Sequence, residues 1–543
     1  MIKSAELSRD VTAILIICLC CLLLFFYKLG DRPLWDYDEA MHAQVAKEML
    51  QRGDWCTPVF NGESFYNKPV MHFWMVMISF MLFGISEFSA RLPSTAIGIA
   101  GVFLVYFWGR YAFGRLTGIL SSLILATSVE YIILSQNIIH DMTLCFFMNL
   151  ALFQFHKAVK GDVIPYSSII LIAASMGCAV LTKGPIGLLL TGAVIFVFIL
   201  ITKRWTLVFN RRLFLGIIVF LLVALPWFVL MALRHEDYLK TFLLEGNLGR
   251  FFSGEAPHKE PVYYYLLVLA VGFFPWSAFL PSALYSQIKD YLRGKSSDVL
   301  FLLLSAGVPF VFFSLSRSKL ATYILLVFPA LSILMGRFWA GISEKDAPAY
   351  LKSHFRYSSR VFFLIILIVA AGGLIYTNKA YPQYVFNALM ACLFLVFCGL
   401  VYILSSFSKK VMVSFTVMVL FMITAIMGIN RFVLPAFSQY KSMPQLAATM
   451  KILLPPGAPI YFYRDLRESA IFYTGRRGFI IRKPEELELF LNTPETVYCV
   501  IHIKQYKKLK PLLRASMYPV VTEGKHMLIS NKDPLHENTG AVT

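Results

Sequence analysis

Apolar runs long enough to cross a bilayer recur along most of the chain. They lie near 11–28, 92–112, 117–136, 141–157, 166–183, 185–202, 213–233, 262–284, 299–316, 320–340, 361–377, 383–404 and 411–432. A crossing needs roughly 20 predominantly apolar residues, so the pattern predicts an α-helical polytopic membrane protein with about thirteen transmembrane helices. The first run lacks a small-residue cleavage site and reads as a retained span. The stretch 69–84 is apolar and aromatic but too short for a comfortable crossing. Counting it as a span would invert every later loop, so it is expected to be an interfacial or re-entrant helix.

Beyond residue 441 the pattern changes. Helical periodicity at 444–454 is followed by short β-type runs at 458–464, 478–483 and 496–504, with helical runs at 466–474, 484–491 and 505–515. Alternation of this kind predicts a small α/β domain. The expected organisation is a transmembrane domain at 1–436 and a C-terminal α/β domain at 437–543. The membrane part would carry two large external loops, 29–91 and 234–261.

Composition supports this reading and supplies the orientation. The chain is 58% hydrophobic and carries a formal charge of +19. That charge is not a nucleic-acid footprint, because it is spread over short loops between apolar runs. Alternating the spans from a cytoplasmic N-terminus puts Arg110 and Arg115, Lys157 and Lys160, Lys203, Arg204, Arg211 and Arg212, Lys289 and Arg293, Arg356 and Arg360, and Lys409 and Lys410 on one side. This is the positive-inside distribution, and it makes the C-terminal domain extracytoplasmic. Of nine cysteines, only Cys56 and Cys499 lie outside apolar runs, where they are free to pair in an oxidising compartment.

The outer side then collects the unusual polar residues: Asp36, Asp38 and Glu39, then Asn67 and Lys68, Asp141, Lys183, His258, Arg317 and Lys319. Cations on the side where short loops usually lack them point to an anionic partner at the interface, with a lipid phosphate the natural candidate. Each has a plainer reading beside it. Asp36 with Glu39 fits a capping box for a helix at 39–51 that ends at Gly53. Asp38 is not needed for that cap. Asp141 also fits as a cap of the following span, Lys183 as a snorkelling side chain, and His258 as a surface-loop histidine. Glu63, Glu87 and Glu130 read as solvated or structural.

The order and context of these residues resemble the C-type (GT-C) glycosyltransferases that use polyprenyl-phosphate sugars. The resemblance is greatest to the bacterial aminoarabinose (lipid A) transferase family, related to the protein O-mannosyltransferases. The motifs that carry it are Asp38-Glu39 at the start of a helix leading to Gly53-Asp54-Trp55, Tyr66-Asn67-Lys68-Pro69, Asp141, Leu181-Thr182-Lys183-Gly184, Gly249-Arg250-Phe251 leading to His258, and Ser318-Lys319-Leu320-Ala321-Thr322-Tyr323. They cover roughly the first 340 residues. The resemblance implies Asp38 as principal catalytic acid, Asp141 as a second, and Glu39 beside Asp38. It implies Lys68 and Tyr323 as donor-phosphate residues, with Lys183, Lys319 and Arg317 nearby, and associates His258 with a divalent metal. Two departures stand out: Asn67 where the family carries an acid, and Ala40-Met41 where it carries Thr-Arg. The first weakens a metal site, and no metal is assigned.

The expected function is therefore inverting transfer of a sugar from an undecaprenyl-phosphate donor to lipid A or another acceptor at the periplasmic face of a bacterial inner membrane. The sugar would be 4-amino-4-deoxy-L-arabinose or a related pentose or hexose. A protein O-mannosyl- or glycosyltransferase is the alternative within the class. A lipid-linked glycan transporter or flippase is the alternative outside it, and would place acids, cations and broken helices at mid-membrane.

Overall fold

Each apolar run of the sequence is a helix, or a bent pair of helices, in the computed structural model, which describes residues 2–161, 164–207, 211–242, 260–407 and 411–533. By length and hydropathy, eight helices among the described residues can cross a membrane, or ten if each of two bent pairs is one span. The count of thirteen is not reached on that criterion. Helices Asp10–Phe26 and Ile186–Thr202 are shorter than 18 residues. His140–Ala158 is long enough but carries Asp141, Asn149, His156 and Lys157 among its apolar residues. Met71–Phe83, at 13 residues, extends about 20 Å at 1.5 Å per residue, short of a roughly 30 Å hydrocarbon core.

Contacts group the chain into two units. The first comprises 1–27, 94–136 and 140–428. Its helices pack through small residues, as expected where lipid supplies no hydrophobic drive for helix association. A Cβ at Gly336 would collide with Ser121 Oγ and come within 3.0 Å of the Thr117 carbonyl, so helices Arg115–Ala126 and Phe328–Ile342 approach backbone to backbone. Aromatic residues fill much of the remaining space, with Trp276 and Trp339 meeting edge to face at 5.9 Å. Helices Arg212–Arg234 and Pro382–Ser406 bury only 11% of their most apolar windows, leaving broad apolar surface for lipid.

The second unit joins 28–93 and 137–139 to 429–543. The first loop thus packs with the C-terminal region. A five-stranded sheet runs in the order β4-β3-β5-β7-β6, with β3 Ile460–Tyr463, β4 Gly478–Ile481, β5 Tyr498–His502, β6 Tyr518–Glu523 and β7 His526–Ser530. Strands β4, β3 and β5 are parallel, and β7 and β6 are antiparallel additions. The first three strands and helices Pro444–Leu453, Glu468–Thr474, Pro484–Leu491 and Ile503–Leu509 follow the pattern read from the sequence. The β6–β7 hairpin was not expected. Its edge strand starts Tyr518-Pro519 and is largely exposed, so it lacks the alternation of a half-buried strand. No disulfide joins Cys56 and Cys499 in the structure.

A small hairpin, β1 Val59–Phe60 and β2 Glu63–Ser64, ties the first loop to the sheet. Asn61 at its turn donates from Nδ2 to the Gly478 carbonyl and accepts at Oδ1 from the Gly478 N–H, both at 2.8 Å. The amide thereby behaves like a strand residue at the start of β4. Asn61→Ala should lower the stability of the protein by about 1–2 kcal/mol, the net worth of two such bonds. A thermal-unfolding midpoint in detergent unchanged by that substitution would show that the hairpin does not anchor the sheet.

Candidate active site

The acidic stretch at 36–39 is held from several directions at once. Helix Asp38–Arg52 begins there and ends at Gly53, whose φ of +65° is the left-handed conformation expected of a C′ glycine. Its start departs from the expected capping box. Tyr37 is the N-cap and no side chain caps it. The Asp36 carboxylate turns away and accepts from the Ser469 N–H at 2.7 Å, so it caps the C-terminal helix Glu468–Thr474, with Arg467 3.8 Å away. Burial raises the Asp36 carboxyl above the usual range, opposed by hydrogen bonds from Ser469. The Asp36 N–H also donates to the Lys441 carbonyl at 2.8 Å.

Glu39 accepts from the Trp35 N–H at 3.0 Å, and not from the Asp36 N–H that a capping box would use. Its carboxylate otherwise belongs to Arg91, which donates from Nε at 2.7 Å and from Nη2 at 3.0 Å, while Arg32 lies at 3.6 Å. Arg91 has no exposed surface and also donates to the carbonyls of Leu29, Arg32 and Pro33. Burial favours the neutral acid of Glu39, but Arg91 and Arg32 outweigh it and hold the carboxyl below the usual range. Both oxygens of Glu39 are therefore occupied, which fits a structural ion pair and not the catalytic role implied for it. Asp38, one residue earlier, is exposed, and its side chain makes no hydrogen bond or ion pair among the described residues. In the same unit Lys68 is half-buried in the bend before Pro69, and Asn67 is exposed.

The first unit carries the other residues. Asp141 lies in the first turn of helix His140–Ala158 and is ion-paired with Lys183 at the end of helix Tyr166–Lys183. Gly184 follows with φ +79°, a conformation that ends the helix directly after the lysine. The Lys183 ammonium also sits 4.2 Å from the centre of the Tyr323 ring, a cation–π distance. The structure therefore brings together Asp141, Lys183 and Tyr323. Lys319 is 4% exposed and spends its ammonium on the Glu260 carbonyl at 3.0 Å and the Ser316 carbonyl, so it braces its own loop. Arg317 is exposed. His258, with Gly249 and Arg250, lies outside the described residues. No group of three or more metal-ligating side chains occurs among the described residues.

Sequence reasoning missed Arg91 and Arg467, and read Glu130 as solvated or structural. Arg91 is one more cation at the end of an apolar run, the signal that singled out Lys68 and Lys183. Glu87, read as solvated or structural, accepts from the Tyr473 hydroxyl at 2.9 Å, whereas Glu63 is exposed. Glu130 is buried, although its neighbours in sequence gave no sign of it.

Known proteins match this architecture. A family model described as dolichyl-phosphate-mannose-protein mannosyltransferase matches residues 67–230. An undecaprenyl phosphate-alpha-4-amino-4-deoxy-L-arabinose arabinosyl transferase of Yersinia pestis is 30% identical over 389 residues, covering 70% of this chain and 69% of its own. The crystal structure of ArnT from Cupriavidus metallidurans bound to undecaprenyl phosphate superposes with a TM-score of 0.79 at 26% identity, covering 96% of this chain and 98% of that one. An archaeal oligosaccharyltransferase, AglB from Archaeoglobus fulgidus, shares the fold alone, with a TM-score of 0.52 at 12% identity over 92% of this chain and 70% of its own. Fold and matches define a multi-pass membrane glycosyltransferase of the GT-C type. Within that class the chain belongs to the family of the undecaprenyl-phosphate aminoarabinose arabinosyl transferases.

The Glu39–Arg91 pair sets two expectations. Removing Arg91 as Arg91→Ala strands a buried carboxylate, at a cost of about 3–5 kcal/mol. Because the Glu39 carboxyl is depressed, its stabilising contribution is full above the unfolded value near 4.3 and is lost as pH falls through the lower folded value. Thermal unfolding of wild type and Arg91→Ala between about pH 3 and pH 7 reads both. A variant as stable as wild type, or a difference that does not shrink in acid, would contradict the assignment.

Proposed function

We propose that the chain is an inverting glycosyltransferase that moves a sugar from an undecaprenyl-phosphate donor to lipid A at the periplasmic face of a bacterial inner membrane. The sugar is 4-amino-4-deoxy-L-arabinose or a close relative. The observation that carries this reading is Asp38: an exposed carboxylate with no hydrogen bond or ion pair among the described residues, set at a helix start between Asp36 and Glu39, which are both bonded. Family membership and the undecaprenyl phosphate named in the ArnT structure support the donor.

The chemistry needs few groups. The donor's polyprenyl tail stays in the bilayer, since each methylene contributes about 0.8 kcal/mol. Asp38 accepts the proton of the acceptor hydroxyl, or orients an acceptor phosphate oxygen, as that oxygen attacks the anomeric carbon. The bond from that carbon to the phosphate oxygen breaks, and the electron pair leaves with the polyprenyl phosphate. One displacement inverts the configuration. The phosphate is a good leaving group, so no general acid is required, unlike the paired carboxylates of glycosidases. The resemblance to the family supports Lys68, Lys183 and Tyr323 as residues that meet the developing phosphate charge, as oriented charge does for other anions. For Lys183 this means sharing its ammonium between Asp141 and the phosphate. Asn67 is a neutral amide, so the described residues supply no set of donors for a divalent ion.

The mannosyltransferase family model favours one second reading, transfer to a protein hydroxyl, which would use the same carboxylate. Asp38→Asn is nearly isosteric and leaves the buried pair beside it intact. Purified Asp38→Asn should fold with a wild-type melting profile and lose sugar transfer by about 100-fold or more, as expected when a positioned base is removed. Transfer at the wild-type rate by the folded variant would remove Asp38 from the mechanism.

A further inference from the structure

A cluster of charge that the mechanism does not use lies in the unit that carries Asp38, at the carboxyl ends of its parallel strands. The order β4-β3-β5 makes β3 the first of these strands in the chain and the middle one in the sheet. The chain leaves β3 for one neighbour and then crosses back to the other, so the loops after β3 and β5 part in opposite directions. Crevices opened in this way are where open α/β sheets bind ligands.

The residues at this crevice are basic. The loop after β3 brings Arg467, and the end of β5 brings His502 and Lys504. The start of β7 brings Lys525 and His526, with His526 opposite His502 in the ladder and their rings 4.9 Å apart. His526 Nε2 accepts from Arg467 Nη2 at 2.9 Å, and His502 Nδ1 accepts from the Lys504 N–H at 3.0 Å. Burial, and then the charges of Arg467 and Lys525, hold both imidazoles below the usual histidine range. Arg467 pairs with Asp465 at 2.6 Å and lies 3.8 Å from Asp36, yet its Nε–H is buried and without a partner among the described residues. Lys504 and Lys525 are exposed, and their ammonium groups make no hydrogen bond or ion pair among the described residues. Two neutral histidines among cations, beside an unsatisfied arginine N–H, distinguish this crevice from an ordinary solvated basic patch. The crevice also adjoins the acidic stretch. The Tyr37 hydroxyl donates to Asp465 at 3.3 Å, and the Arg467 guanidinium lies 5.5 Å from the centre of the Tyr37 ring. Asp38 is the next residue.

We propose that this crevice is the subsite for a phosphate group of the acceptor lipid. The inference rests on the function proposed above and adds to it. There the donor phosphate is met by Lys68, Lys183 and Tyr323, so the anion for this crevice is one that the acceptor brings. Lys504 and Lys525 close on the phosphate oxygens, with Arg467 as a third, fixed charge. No bond is made or broken in the crevice. It holds the acceptor beside the helix start that carries Asp38.

The test uses the purified full chain in detergent and the double variant Lys504→Gln/Lys525→Gln. Both lysines are exposed, so the variant should keep the wild-type melting profile. Arg467 stays in place because of its ion pairs. Binding is measured for phosphorylated lipid A, for the same lipid stripped of its phosphates, for undecaprenyl phosphate and for inorganic phosphate. The double variant should bind phosphorylated lipid A about 10-fold more weakly, the range for two charge contacts at a partly exposed site. Its KM for that acceptor should rise to match, with kcat held within about twofold. Affinity for the stripped lipid and for undecaprenyl phosphate should be unchanged. Equal losses with both lipids, or no loss while wild type transfers sugar to lipid A, would overturn the subsite alone. Inorganic phosphate that binds wild type as tightly as the phosphorylated lipid, and is lost in the variant, would assign the crevice to a free anion and overturn its acceptor role. Wild-type protein that glycosylates a protein and neither lipid would overturn the proposed acceptor and this inference with it.

Discussion

The second unit is organised around one buried guanidinium. Arg91 gathers three carbonyls of the segment that follows the first apolar run and both oxygens of Glu39. A buried charge without such partners would cost several kcal/mol, so the carbonyls and the carboxylate must come together wherever Arg91 goes. The consequence lies one residue away. Glu39 sits in the first turn of its helix, so fixing Glu39 fixes the backbone of Asp38 while leaving its side chain free. On the other flank, Asp36 is held by Ser469 and by the Lys441 carbonyl. The exposed Asp38 is thus held between two carboxylates that are bonded within the unit.

The first unit applies the same economy of charge. Asp141 and Lys183 neutralise one another in a setting where either alone would be expensive. The lysine keeps a second contact, the face of Tyr323. Neither carboxyl oxygen of Glu130 has a hydrogen-bond partner among the described residues.

Much of this was legible in the sequence, and the failures have physical causes. Hydropathy located the membrane helices because a crossing imposes length and composition on the chain itself. The thirteen runs read from the sequence include 141–157, whereas helix His140–Ala158 fails a strict length-and-hydropathy criterion because it carries polar residues, many of them buried. The helix ending at Gly53 was readable from its terminating glycine. Its start was not, because the Asp36–Glu39 spacing looks like a local capping box, whereas the true partner of Asp36 is Ser469, more than 400 residues away in the chain. Arg91 was missed because a cation at the end of an apolar run reads as an ordinary flanking charge until its partners are known.

The account turns on a lipid-linked sugar reaching lipid A. The most direct measurement is mass spectrometry of lipid A and of surface glycoproteins from cells with and without this protein. The account predicts lipid A species heavier by one sugar residue that vanish when the protein is removed, with glycoproteins unchanged. An unaltered lipid A beside altered glycoproteins would contradict it and move the activity to a protein acceptor.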